Sequence, residues 1–170
     1  LSSGKVDGLT TKQISSLTTQ QFDALSSSAI AGLYDAQVAS LSAKLVATLS
    51  ADELNSFTAS EIASIKKASI PGISTAAIAA LTTDKLAAMT TAQISALSSG
   101  QMNALTSAQL AALSPDQFGA MTAKQIAGLA TATIASLSAD KIDGFSSKQI
   151  AALTTLQFDA LSLSSIDALD

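Results

Sequence analysis

The sequence predicts an all-α solenoid of about 21 octapeptide repeats, each a short capped helix followed by a bend. Three observations predict it. A large apolar residue returns every eighth position without a slip, from Leu1, Leu9 and Leu17 to Leu153, Leu161 and Leu169. A second apolar series, Val6, Ile14, Phe22, Ile30 and onward to Ile166, runs in the same register. Between them, a Ser or Thr is followed three residues later by Gln or Glu in most repeats.

With the octad positions labelled one to eight, positions one and six are large and apolar in 21 of 21 repeats, and position eight is always Gly, Ala, Ser or Thr. Position two is Ser or Thr in 18 of 21, the exceptions being Tyr34, Lys66 and Ala130. Position five is Gln in ten octads and Glu in two. Positions one and six have opposite parity, so one face of a flat strand cannot hold both. A β-solenoid with a bend inside each octad evades that objection and is the alternative. One continuous helix is disfavoured: eight residues turn it about 800°, or about 80° past two turns, against the ~20° per heptad that supercoils absorb.

Short helices fit. Ser or Thr with Gln or Glu three residues on is the capping-box pattern, in which each side chain satisfies the other residue's amide. Ser98, Thr106, Ser114 and Thr122 are predicted caps, and Pro115 falls at the first helical position, where its missing N–H costs nothing. Asp52, Asp84, Asp116 and Asp140 fall in the first turn, where the helix dipole favours an anion. The sixth residue and the next octad's first are three apart and share a face. Leu97, Met102, Leu105, Leu110, Leu113, Phe118, Met121 and Ile126 are therefore predicted core residues. A helix this short does not persist alone, so successive bends must wind the chain into coils, with two or three octads per coil expected. Small residues at position eight would let coils approach.

One octad, residues 65–72, breaks the pattern. It reads I-K-K-A-S-I-P-G, lacks the cap and ends in Pro71 and Gly72, a candidate hinge or a tolerated defect. Otherwise residues 1–170 read as one uninterrupted array. Residues 1–34 match 137–170 at 20 of 34 positions, including Lys5 with Lys141, Asp7 with Asp143 and Phe22 with Phe158. That offset of 17 octads, and the lack of polar capping repeats, lead us to expect a segment of a longer array.

Composition narrows the function. The 170 residues carry a net charge of −4, no His and no Cys, and all nine cations are Lys. No Ser-His-Asp triad, thiol nucleophile or ordinary zinc site can be built from this set, and no enzymatic activity is expected. An acidic chain without Arg lacks the basic footprint of a nucleic-acid binder. Mean hydropathy is high at +0.40, yet polar residues interrupt every apolar run, so no membrane insertion is expected. Asp7, Asp23, Asp143, Asp159 and Asp167 share position seven. A calcium ion needs six to eight converging oxygens, so these read as solvated. Thr pairs such as Thr10-Thr11 and Thr90-Thr91 could match a crystal lattice, but capping already explains the first of each pair.

Runs of L-[ST]-x-x-Q-[IVF]-x-A-L, as from Leu97 to Leu113, resemble the repeat arrays of very large bacterial surface proteins, described as adhesin-like or haem-utilisation-like. The resemblance covers the whole chain. It implies a secreted structural protein of the bacterial surface, a filament, stalk or adhesin shaft. The self-stacking of copies is expected from the uncapped ends. No cofactor is expected: without His or Cys, Tyr34 and the three Met are the conventional haem ligands left. The alternative function is a solenoid binding module for a peptide or a host or surface glycan. Its variable positions three, four and seven offer no aromatic cluster of the kind that anchors partners.

Overall fold

The structure is a computed structural model that describes residue 6 and residues 8–167. Leu1, Lys5, Asp7, Leu169 and Asp170 lie outside the described residues. The chain is an all-α solenoid. Nineteen α-helices and one 3₁₀ helix follow one another from Thr11 to Asp167, one per octad. The described residues contain no strand, which excludes the β-solenoid.

Each helix has four to six residues, as in Thr11–Ser15, Ala43–Val46 and Ser107–Ala112. Position two is its N-cap, with extended backbone near φ −70 and ψ 160, as at Ser98 (−67, 160) and Ser114 (−73, 162). Its carbonyl accepts the first helical bond from position six, for example Ile126 N–H to Thr122 at 3.1 Å. The helix stops because the next position-one N–H bonds back only three residues, as Leu105 does to Met102 at 3.2 Å. Positions one and two are then extended, as Leu113 (−67, 143) shows, and the chain turns. No described residue has a positive φ, so the bends need no glycine and tolerate any side chain.

Helices this short gain their stability from packing. Each octad packs on the one three octads away: Ala43–Val46 on Lys67–Gly72, Asp35–Ser40 on Ala59–Ser64, Thr83–Ala87 on Ser107–Ala112. Contacts between successive coils join residues 25 to 31 apart. A coil thus holds between three and four octads; coils of two do not form.

Positions one and six line one continuous apolar core down the solenoid. Leu97, Met102, Leu105, Leu110, Leu113, Phe118, Met121 and Ile126 are all buried in it. The rings of Phe118 and Phe145 stack 6.2 Å apart. Phe158 and Ile166 occupy position six in the last two described octads and are 41% and 38% exposed. Small residues admit close coils at particular points. A Cβ on Gly72 would lie 2.6 Å from the Ala43 carbonyl oxygen, and one on Gly119 2.7 Å from that of Gly144.

The irregular octad keeps the register. Lys67–Gly72 is a 3₁₀ helix with Pro71 inside it. Ile70 is buried, and the Ser69 hydroxyl donates to the Leu41 carbonyl one coil back at 3.3 Å. Pro71 is exposed and Gly72 half-buried at the end of this helix.

Candidate functional site

The distinctive chemistry of this surface-poor molecule lies at position five. In all twelve octads with Gln or Glu there, the side-chain oxygen accepts the N–H of the position-two residue, as from Thr122 to Gln125 at 2.7 Å and from Ser50 to Glu53 at 2.9 Å. The reciprocal bond, from the position-five N–H to the position-two hydroxyl, forms at Ser98, Thr106, Ser114 and Thr122, each at 3.2 Å. At Tyr34 only the return half exists, the Tyr34 N–H donating to Gln37 at 3.2 Å.

The other end of each amide does a second job. Gln125 Nε2 donates to the carbonyls of Ile94 at 3.0 Å and Leu97 at 2.8 Å, in the preceding coil. Gln101 reaches Ile70 and Ile73 in the same way, and Gln149 reaches Phe118, Gly119 and Met121. Eight glutamines, from Gln37 to Gln157, make this bridge, always to carbonyls 28 to 31 residues earlier, and all eight are buried. Gln13 and Gln21 lie in the first coil and are exposed. Each bridging carboxamide is thus held at both ends, its oxygen by its own helix and its nitrogen by the coil before it.

This third inward position is what a reading of position five as a cap alone misses. A signal was present: a capping box accepts Glu as readily as Gln, yet Gln outnumbers Glu ten to two. Glu has no N–H to give to a carbonyl. The two Glu, at 53 and 61, are half-buried and donate to no carbonyl; Glu53 accepts a bond from the Ser27 hydroxyl at 3.4 Å on the preceding coil. Donors other than Gln do substitute. The ammonium groups of Lys85 and Lys141 donate to the carbonyls of Phe57 and Ala111. Lys141 also lies 5.3 Å from the centre of the Phe118 ring, and burial lowers its pKa from the usual 10.5.

One octad without such a donor carries a cleft. Thr133 stands at position five of an octad whose cap is Ala130. Its short side chain leaves a cleft of about 290 Å³ lined by Met102, Asn103, Leu105, Gly128, Leu129, Ala130 and Thr133. A second cleft of about 290 Å³, lined by Leu17, Gln21, Ala24 and Leu25, opens where the ladder would need donors at 45 and 53. The chain has Leu45 and Glu53 there.

The outer face carries little else. Among the described residues no three Asp or Glu converge to hold a metal ion, and Asp23, Asp143, Asp159 and Asp167 are exposed. Among those residues no helix is long and apolar enough to cross a membrane. Among the described residues two aromatics are exposed, Tyr34 at 48% and Phe158 at 41%.

The ALTTAQ repeat family matches the chain over residues 62–99, 95–131 and 124–155, together more than half its length. Its name spells positions eight to five of the octad, as in Ala104-Leu105-Thr106-Ser107-Ala108-Gln109 here, and ends on the bridging glutamine. No curated protein and no solved structure matches the chain.

Proposed function

The chain belongs to the ALTTAQ repeat family, and from that premise we propose that it is a structural segment of an extracellular bacterial filament, stalk or adhesin shaft, non-enzymatic and self-associating. The observation that supports this reading is the glutamine ladder. Its bonds join each coil to the one before it, as from Gln93 to Ile65 at 2.6 Å and from Gln157 to Leu129 at 2.6 Å. Buried hydrogen bonds running from coil to coil resist extension and add with each repeat, as nearest-neighbour terms do in other solenoids. The absence of Cys leaves no thiol to oxidise outside a cell. The location and the shaft role follow the resemblance of the octads to bacterial surface arrays.

The test is electron microscopy of the purified chain at rising concentration, with circular dichroism on the same sample. The expected result is uniform rods that lengthen with concentration and keep a helical spectrum. Dispersed particles of constant length would overturn self-association. Saturable binding of a glycan or peptide by such particles would replace the shaft with a binding module.

A further inference from the structure

The cleft at Thr133 keeps both halves of the glutamine site and lacks the glutamine. In a complete octad, the carboxamide oxygen takes the position-two N–H while its nitrogen gives to the position-six and position-one carbonyls one coil back. For Gln125 these are Thr122 N–H, Ile94 and Leu97, at 2.7, 3.0 and 2.8 Å. The corresponding groups here are Ala130 N–H, Met102 and Leu105. Neither the Ala130 N–H nor the Leu105 carbonyl has a hydrogen-bond partner among the described residues. The Met102 carbonyl accepts from Leu105 N–H at 3.2 Å and from Ala104 N–H, and from no side chain. The Thr133 hydroxyl also has no partner, although its residue is only 8% exposed and lines the cleft.

We propose that this cleft binds a primary carboxamide on a short aliphatic stem, either a free small amide or a Gln side chain of a partner. The unpaired groups select that chemistry. A donor and two acceptors face one space, so the occupant must accept at one end and donate at the other. A carboxylate would take the Ala130 N–H but meet the carbonyls with lone pairs. An ammonium would satisfy the carbonyls but leave the N–H unpaired. A carboxamide answers both at once, and a site that offers a donor and acceptors together discriminates against analogues that lack one of the two functions. Leu129 and Met102 supply apolar wall for the stem. The inference stands on the cleft's geometry and does not depend on the shaft reading.

The experiment is an amide NMR titration of the ¹⁵N-labelled chain with butyramide, butyrate and N,N-dimethylbutyramide. Butyramide should give saturating shifts confined to the amides around Leu105, Gly128, Ala130 and Thr133. Butyrate, and the dimethyl amide that has no N–H, should not. In Thr133→Gln the protein's own side chain should occupy the site, and binding should weaken about tenfold or more. N-acetyl-glutamine N-methylamide separates the two sources: binding equal to butyramide supports a partner's side chain, and exclusion supports a free amide. Equal shifts with the dimethyl amide, shifts scattered over the chain, or a Thr133→Gln variant that binds like wild type would overturn the proposal. The comparison among the three probes uses wild type alone, so it decides even if the variant folds poorly.

Discussion

Replacing Gln109 with Glu separates the two jobs of position five. The substitution conserves size and keeps the oxygen that accepts Thr106 N–H at 2.8 Å. It removes the Nε2 that lies 3.3, 3.1 and 2.8 Å from the carbonyl oxygens of Ile78, Ala79 and Leu81. A protonated Glu still donates one O–H there, so at acid pH the variant loses about one hydrogen bond, worth roughly 1 kcal/mol. An ionised Glu points a charge at three carbonyls in a site that is 3% exposed. An uncompensated buried charge costs about 3–5 kcal/mol, unless the group stays protonated at about 1.4 kcal/mol per pH unit above its unfolded pKa. The folded pKa is thus raised above the unfolded value of about 4.3. Below about 4.3 both states are protonated and this electrostatic deficit is absent; it grows as pH rises toward the folded pKa and is constant above it. Thermal melts of wild type and variant at pH 4 and pH 8 measure it. At about 2–4 °C per kcal/mol for this size, the variant should melt roughly 6–20 °C below wild type at pH 8 and only a few degrees below at pH 4. Other carboxylates cancel in the difference. An equal deficit at both pH values, or a Gln109→Ala variant hurt more than Gln109→Glu at pH 8, would refute the bridging role.

Further outcomes follow from the geometry. Ser114→Ala, which removes a cap bond of 3.2 Å to Gln117 N–H, should cost about 0.5–2 kcal/mol in urea unfolding. Ile126→Asp, at a fully buried position, should cost about 4 kcal/mol or more; exposed Thr131→Asp should stay within about 0.5 kcal/mol, and equal tolerance would contradict the inward assignment. Gly119→Ala should destabilise by roughly 1–2 kcal/mol, because its Cβ would lie 2.7 Å from the Gly144 carbonyl oxygen. Gly100→Ala, with nothing nearer than 4.0 Å, should stabilise by about 0.4–1 kcal/mol. The Lys141 ammonium should titrate below 10.5 by NMR, because burial lowers its pKa. Between its folded value and 10.5 the unfolded chain holds the extra proton, so the stability of wild type relative to Lys141→Met should rise with pH through that window.

The fold was legible because the octad repeats its own local rules. Ser98 with Gln101 and Thr106 with Gln109 specify where helices begin, and Leu105 with Met102 and Leu113 with Leu110 specify the buried face; none of this needs knowledge of distant residues. The number of octads per coil was not legible, because it depends on the angle between successive helices. The bends at positions one and two carry ordinary extended backbone that no residue type marks. The coil-to-coil bond was hidden for a related reason. Its acceptors are main-chain carbonyls of Ile94 or Leu81, which every residue possesses, so only the donor leaves a trace in the sequence.

That asymmetry explains which substitutions the array tolerates. Gln, Lys85, Lys141 and Ser69 each bring an N–H or O–H inward and hold a coil with different reach, whereas the short Thr133 side chain does not. The apolar positions have no such latitude in kind, being large and apolar in 21 of 21 octads. Core and ladder therefore divide the task. The core makes coils form, since burial is proportional to area and indifferent to register. The ladder fixes how each coil sits on the last, since a hydrogen bond fails beyond about 3.5 Å. Thr133 sits where the first requirement is met and the second is not: Ile134 is buried as usual, while a cleft lies at the unfilled donor site. The octad of Thr133 thus keeps its place in the solenoid through its apolar residues alone, and the amide site we propose lies where its bridging side chain is missing.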